Sequence, residues 1–225
     1  MKRLIDKELA QLDAQFTEMG VTVAEAIGTA GKSMVRGDTR SAEEIVAHDH
    51  RINEQEMKLE QKALEIIALH QPITNDLREV VTILKAVSDL EHAGDHARDI
   101  ALASIQQKQE PALQPILTLI EQFSMFIEKL MRDMLSAYVK KDWRFAEQNG
   151  MHLATEASQQ NVKINEACIA AMKQHGELGE QILLYVSVAN ALEQICDCAL
   201  NIGEWIIYGH SGEIVEIKPV TKLED

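Results

Sequence analysis

Glu91, Asp95 and Asp99 stand four residues apart, and Glu193, Asp197 and Asn201 repeat that spacing 102 residues later. On a helix of about 3.6 residues per turn, positions i, i+4 and i+8 drift by only ~40° per step and rise ~6 Å, so these oxygens form a ladder along one face. Like charges stacked this way repel one another. The ladder therefore needs a reason: it is either a solvated acidic edge or a cation site, for which a divalent or trivalent metal ion takes carboxylate and amide oxygens as ligands.

The acids fall where apolar residues belong. Alternating steps of three and four give Val81, Leu84, Ser88, Glu91, Asp95, Arg98, Leu102, Ile105 in the first copy and Leu183, Val186, Asn190, Glu193, Asp197, Leu200, Glu204, Ile207 in the second. Each is a heptad-spaced seam, apolar at its ends and acidic in the middle. The adjoining row, Val80, Ile83, Val87, Leu90, Gly94, Ala97, Ala101, is small or apolar throughout, so the acids border a packing face. Burying ionised carboxylates without partners costs several kcal/mol each, which places water, cations or a metal at the seam.

The wider repeat defines the elements that carry the ladders. Six helices are expected. The first spans Leu4 to Met34, with Ile5, Leu9, Leu12, Phe16, Met19, Val23, Ala26 and Ala30 spaced as a bundle seam, and ends at Gly37. A second runs from a Ser41/Glu44 capping box to His70 before Pro72, and a third from an Asp76/Glu79 cap to about Lys108. Pro111 and Pro115 divide the halves. Three more helices follow over 116–139, 143–175 and 180–208, the last stopped by Gly209. Gly37-Asp38 with Ala42 recurs as Lys141-Asp142 with Ala146, 104 residues on. The simplest architecture is all-α: two tandem three-helix bundles over residues 1–110 and 111–210, with a tail from 211 to 225.

A second row of polar residues belongs to the first repeat alone. The seam Ile45, Asp49, Ile52, Glu56, Leu59, Ala63, Ile66 carries two acids, and Asn53 follows Asp49 by one turn. If it faces the third helix, Asp49 and Asn53 meet Glu91 and Asp95 around an oxygen-rich site. The second repeat offers Met151 or Leu153 where Asp49 aligns, so its site is poorer in ligands.

Composition narrows the partners. The formal charge of −14 repels nucleic acid and anionic lipid and favours cations. With 46% hydrophobic residues, 4% aromatics, 4 prolines and 11 glycines, the chain suits long helices around a full core. The opening Met1-Lys2-Arg3-Leu4-Ile5 is interrupted by Asp6, Lys7 and Glu8, leaving no signal-peptide core. The stretch from Ile182 to Leu192 is shorter than the ~20 residues a bilayer needs. A cytoplasmic protein without a membrane span is expected. Cys168, Cys196 and Cys198 are odd in number, and the last two point to different sides of a helix, so reduced thiols packed as small apolar groups are expected. His92 and His96 form an i, i+4 pair, a spacing known from zinc sites, but without the following Glu of HExxH they read as exposed.

Taken together, the Asp49, Ile52, Asn53 spacing, Gln71-Pro72, Asp76-Leu77-Arg78 and the doubled Leu-Glu-x-x-x-Asp-x-Ala-x-x-Ile resemble the PhoU family over nearly the whole chain. The sequence departs from the family pattern at Cys196, where Gly is usual, and at Cys198, where His is usual. The resemblance implies two three-helix bundles, a homodimer, and acidic motifs that bind metal ions in some members. It also implies a regulator that holds phosphate uptake and phosphate-starvation signalling down when phosphate is plentiful. Its partners would be the ATP-binding subunit of a phosphate ABC importer and a phosphate-sensing histidine kinase. On this reading Asp49, Asn53, Glu91, Asp95 and Asp99 hold iron, zinc, magnesium or manganese in one repeat, and Glu193, Asp197 and Asn201 hold a metal more weakly in the other.

Two other classes compete with a regulator. A helical-bundle metalloenzyme with carboxylate ligands would use Glu-x-x-His on paired helices, and no Glu here has His three residues later. Neither a Walker-type phosphate loop nor a nucleophile motif is present, so no catalysis is expected. The remaining class is a passive dimeric scaffold built on heptad seams.

Overall fold

The computed structural model describes residues 4–107 and 113–219, and among these there is no strand. Six long helices follow one another: α1 Leu4–Arg36, α2 Thr39–His70, α3 Thr74–Gln106, α4 Gln114–Lys140, α5 Trp143–Gln174 and α6 Gly179–Ser211, the last preceded by a single 3-10 turn, Gly176–Leu178. At 1.5 Å per residue, the 33 residues of α1, α3 and α6 each reach about 50 Å. Each run of three helices forms one bundle, so the tandem arrangement expected from the repeat is the one observed.

The bundles lie side by side and share a core. α1 packs against α4 and α3 against α6, while among the described helices α2 packs on α1 and α3, and α5 on α4, α6 and the short turn. The inner four helices thus form a central layer flanked by α2 and α5. The expected α1 seam is buried from Ile5 through Leu12, Phe16, Met19, Val23 and Ala30 to Met34. Facing it, α4 buries Ile116, Ile120, Phe123, Ile127 and Met131. Close approach of the two is set by Gly20 and Gly28, where an added Cβ would collide with Leu135 and Glu128.

The repeat is written into the turns. Gly37 and Lys141 both take left-handed backbone, at φ 65° and 53°, and the next amide closes back on the helix just ended: Asp38 N to Ser33 O at 3.1 Å, Asp142 N to Ala137 O at 2.8 Å. These are Schellman closures. The same two aspartates then cap the following helix, accepting from Ser41 N at 3.2 Å and from Phe145 N at 3.3 Å.

Several expected boundaries move. Asp38 caps α2 in place of the Ser41/Glu44 box, because the Schellman turn delivers its carboxylate to the Ser41 amide; Glu44 pairs with Arg40 instead. α3 begins at Thr74 after Ile73, so Asp76 lies in the first turn, where it favours the helix dipole, and is not the cap. Gly209 lies inside α6 against Thr82, and the helix ends only where Gly212 takes φ 78°. Pro115 occupies the first turn of α4, while the expected α3 end at Lys108 and the break at Pro111 lie outside the described residues. Beyond α6, the segment 213–219 returns along the second bundle: Ile217 N donates to Glu204 Oε1 at 2.6 Å and the Ile217 side chain covers Gly150.

Residues Gly176–Ser211 are long and apolar enough to cross a bilayer by length and composition, which the shorter stretch read from the sequence did not anticipate. However, 56% of that window is buried inside the protein, against α3, α4 and α5.

Candidate functional site

The first acidic seam is built where α2 meets α3. Ile52 and Leu59 are buried between the helices, and Ile52 closes over Gly94, where an added Cβ would meet its Cδ1 at 3.0 Å. This close approach brings the polar row of α2 beside the ladder of α3. Asp49, Asn53 and Glu56 from α2, and Glu91 and Asp95 from α3, are all half-buried, whereas Asp99 is exposed.

These carboxylates act on one another. Burial raises the Asp49 pKa, and the charges of Asp95 and Asp99 raise it further against the opposing pull of Arg98. Burial likewise raises Glu91, with Asp95, Glu56 and Asp49 adding to the shift. Glu56 is raised by burial too, opposed by a hydrogen bond from Ser88. Arg98 stands closest in opposition, its Nε 3.7 Å from Asp49 Oδ2. In the middle of the seam, Asn53 Oδ1 is buried with no hydrogen-bond donor. A buried carbonyl oxygen without a donor carries a desolvation cost that only a donor, a water or a cation removes.

His92 is exposed and His96 half-buried; they face different acids, His92 Nε2 lying 3.8 Å from Glu91 and His96 Nδ1 3.9 Å from Asp99. No three His, Cys, Asp or Glu side chains among the described residues converge closely enough to hold a metal as they stand. The donor set of the first seam is nonetheless all oxygen, with one orphaned acceptor, and this fits a hard cation better than zinc.

The second seam has the same α-helical ladder and a different lining. Glu193 is half-buried and Asp197 exposed on α6. Facing them on α5 is buried Asn161, whose side-chain amide donates to Glu193, and Asn165 donates in turn to Asn161 Oδ1 at 3.1 Å. Burial raises the Glu193 pKa, but the Asn161 donor opposes the shift. Asn201 donates to Asp89 Oδ1 of the first bundle at 2.8 Å, so its amide nitrogen is committed across the repeat junction. Asp89 itself is raised by burial, against hydrogen bonds from Asn201 and Trp205. Both ladder cysteines are free and buried, and burial pushes the Cys198 thiol up to about 12 and Cys196 higher still, so they pack as neutral thiols.

Glu56 joins the first seam although the sequence reading left it out of the site; its place one heptad after Asp49 was the available signal. Asn161 was hidden because repeat alignment pointed to Met151 and Leu153, both on other parts of α5. Its signal was a polar break in the run Ala154, Ala157, Asn161, Ile164, Cys168.

Two fused helical bundles with an acidic half-buried seam at corresponding places define a tandem helical-repeat protein whose charged features suit binding. The chain belongs to the PhoU family: the PhoU domain matches residues 16–103 and again 120–206, once on each bundle. It is 29% identical over 221 residues to a Phosphate-specific transport system accessory protein PhoU homolog of Streptococcus pneumoniae, covering 96% of this chain and all of that protein. A Burkholderia sp. protein with the same description is 32% identical over 217 residues, covering 90% of this chain and 87% of its own. Among solved structures, the phosphate transport system regulatory protein PhoU from Streptococcus pneumoniae superposes with a TM-score of 0.87 at 28% identity, over 95% of this chain and 100% of that one. PhoU from Pseudomonas aeruginosa shares the fold, with a TM-score of 0.88 at 24% identity over 92% and 99% of the two chains.

Proposed function

We propose that this protein is an accessory regulator of phosphate transport that keeps phosphate uptake and phosphate-starvation signalling low when phosphate is abundant. The observation that carries this reading is the match of both bundles to the PhoU domain, together with end-to-end similarity to a phosphate-specific transport accessory protein. The protein works in the cytoplasm as a homodimer without catalysis of its own. It contacts the ATP-binding subunit of the phosphate importer and a sensor histidine kinase.

Metal binding supports those contacts. Asp49, Asn53, Glu56, Glu91 and Asp95, with Asp99 at the exposed end, hold a hard cation such as magnesium, manganese or iron. The cation supplies the positive charge that relieves the mutual repulsion of the acids and gives the orphaned Asn53 oxygen a partner. Glu193 and Asp197 bind one more weakly, since Asn161 already satisfies Glu193 and Asn201 has only its carbonyl free for a ligand.

The test is complementation. Expressed in phosphate-fed bacteria lacking their own PhoU, the protein should restore repression of alkaline phosphatase. Well-expressed, folded protein that leaves the enzyme derepressed would refute the regulatory role in that host, and repeating the assay with the importer and kinase genes from the source of this sequence excludes partner mismatch as the cause.

A further inference from the structure

Away from the ladders, near the start of α3, the four central helices enclose a groove of about 710 Å³. This volume lies within the range of small-molecule sites, ~300–1,000 Å³. Its polar wall is a carboxyl pair. Asp13 of α1 accepts from the Tyr138 hydroxyl of α4 and lies within hydrogen-bonding reach of Glu79 of α3. Two carboxylates in that relation repel each other when both are ionised. Lys141 Nζ sits 3.1 Å from Glu79 and balances one of the two negative charges.

Beside the polar side chains of Thr17, Asn75 and Thr82, the rest of the groove is mainly apolar or aromatic. Ile206 and Val139 contribute aliphatic wall, and Trp143 stands at the mouth, stacked on His210 at 4.4 Å with the Arg144 guanidinium 5.0 Å from its ring. An anion entering this space would be repelled by the carboxyl pair; a cation would be attracted to it.

We propose that the groove is a binding site for a small organic cation, an amine or amidine on an apolar or aromatic body, whose charged end sits against the Asp13 and Glu79 carboxyls. The ligand contacts both bundles at once, so its occupancy is sensed where the repeats join.

The pH dependence follows from the surroundings of Asp13. Burial pushes its carboxyl up to about 6, with the Tyr138 hydroxyl opposing, Glu79 raising it further and Lys141 opposing. The groups that face it are Glu79 from α3, Tyr138 and Lys141 at the end of α4, and His210 from α6 across the groove; Lys62 and His70 of α2 pair with Glu8, five residues before Asp13. Below about pH 6 a bound cation competes with a proton. Affinity then falls by about tenfold per pH unit.

Benzamidine and phenethylamine titrated into the full chain by calorimetry, with Trp143 fluorescence as a second readout, test the site. Saturable one-to-one binding of at least one probe at pH 7.5, about tenfold weaker at pH 5, and lost in Asp13→Asn is the expected result. Ala14→Trp, at an exposed groove position on α1, leaves both acids in the sequence while filling the space and should also abolish binding. Absence of binding by both probes, binding indifferent to pH, or full binding by a folded Ala14→Trp variant would each overturn the proposal. The phosphate-signalling role stands or falls separately, in the complementation assay.

Discussion

The two acidic seams share one ladder template and are lined by different helices. In the first, α2 answers the acids of α3 with more acid, Asp49 and Glu56, and one orphaned carbonyl, Asn53. In the second, α5 answers Glu193 with the donor amide of Asn161. One seam is left short of positive charge, while in the other Glu193 already has a donor within the protein. The lesson is that the ladder alone does not make a cation site; the facing helix decides whether its charge is an open demand or is already met.

The largest contrast should appear in cells. Glu91→Ala with Asp95→Ala should bring alkaline phosphatase in phosphate-fed cells to the level seen without the regulator, while Glu193→Ala with Asp197→Ala should leave most of the repression in place. Equal loss from both pairs would break the asymmetry. In metal-free buffer the first pair should also raise the melting temperature and abolish any rise caused by added manganese, because the repulsion and the site disappear together.

Next in size is the junction between the seams. Asn201→Asp restores the full acidic template of the first ladder, yet it removes a donor from half-buried Asp89 and adds a like charge beside it. We expect a loss of about 2–3 kcal/mol in urea unfolding, from the unsatisfied acceptor and the repulsion together. Asn161→Asp should cost about 1–3 kcal/mol by leaving Glu193 without its donor, and should make the second seam respond to manganese as the first does. A variant that stays stable and indifferent to metal would show that the facing helix is not what separates the seams.

The helix caps provide the matched control. Asp38→Ala and Asp142→Ala remove equivalent caps from the two bundles, and each should cost about 1 kcal/mol by chemical denaturation. Smallest is the proton effect. The Glu91 pKa is raised on folding, so the folded protein holds the extra proton; stability is greatest below the ordinary carboxylate value and declines as pH rises through the raised one. Glu91→Gln should flatten that decline above pH 4.5 in thermal melts, more than Glu193→Gln does, whose shift Asn161 opposes.

Much of this architecture was legible before any coordinates. Apolar spacing gave six helices, because long seams such as Ile5 to Met34 allow few other structures, and the doubled Asp38/Asp142 turn marked the bundles as copies. Helix ends were harder. Ser41 and Asp38 both compete to cap α2, and backbone closure after Gly37 chose between them; Gly209 could not be told from Gly212 without knowing which takes positive φ. At the site, the ladder acids and Asn53 follow from periodicity. Asn161 does not, since the repeats drift in register along α5, and Asn201 turns toward Asp89 only because α3 and α6 pack side by side. The Asp13–Glu79 pair joins helices from one bundle with a tyrosine from the other, a convergence that spacing within a single helix cannot express.

The flanking position of α2 has a kinetic meaning. α2 supplies half of the first seam yet, among the described helices, rests on two neighbours, while α3, which supplies the other half, lies in the shared central layer. Amide hydrogens along α2 should therefore exchange with solvent well before those of α3, through partial openings that leave the central layer intact. Each opening would separate the halves of the seam, so the lifetime of a bound ion is set by how often one peripheral helix lifts away, and a partner that clamps α2 would slow the ion's escape without touching it.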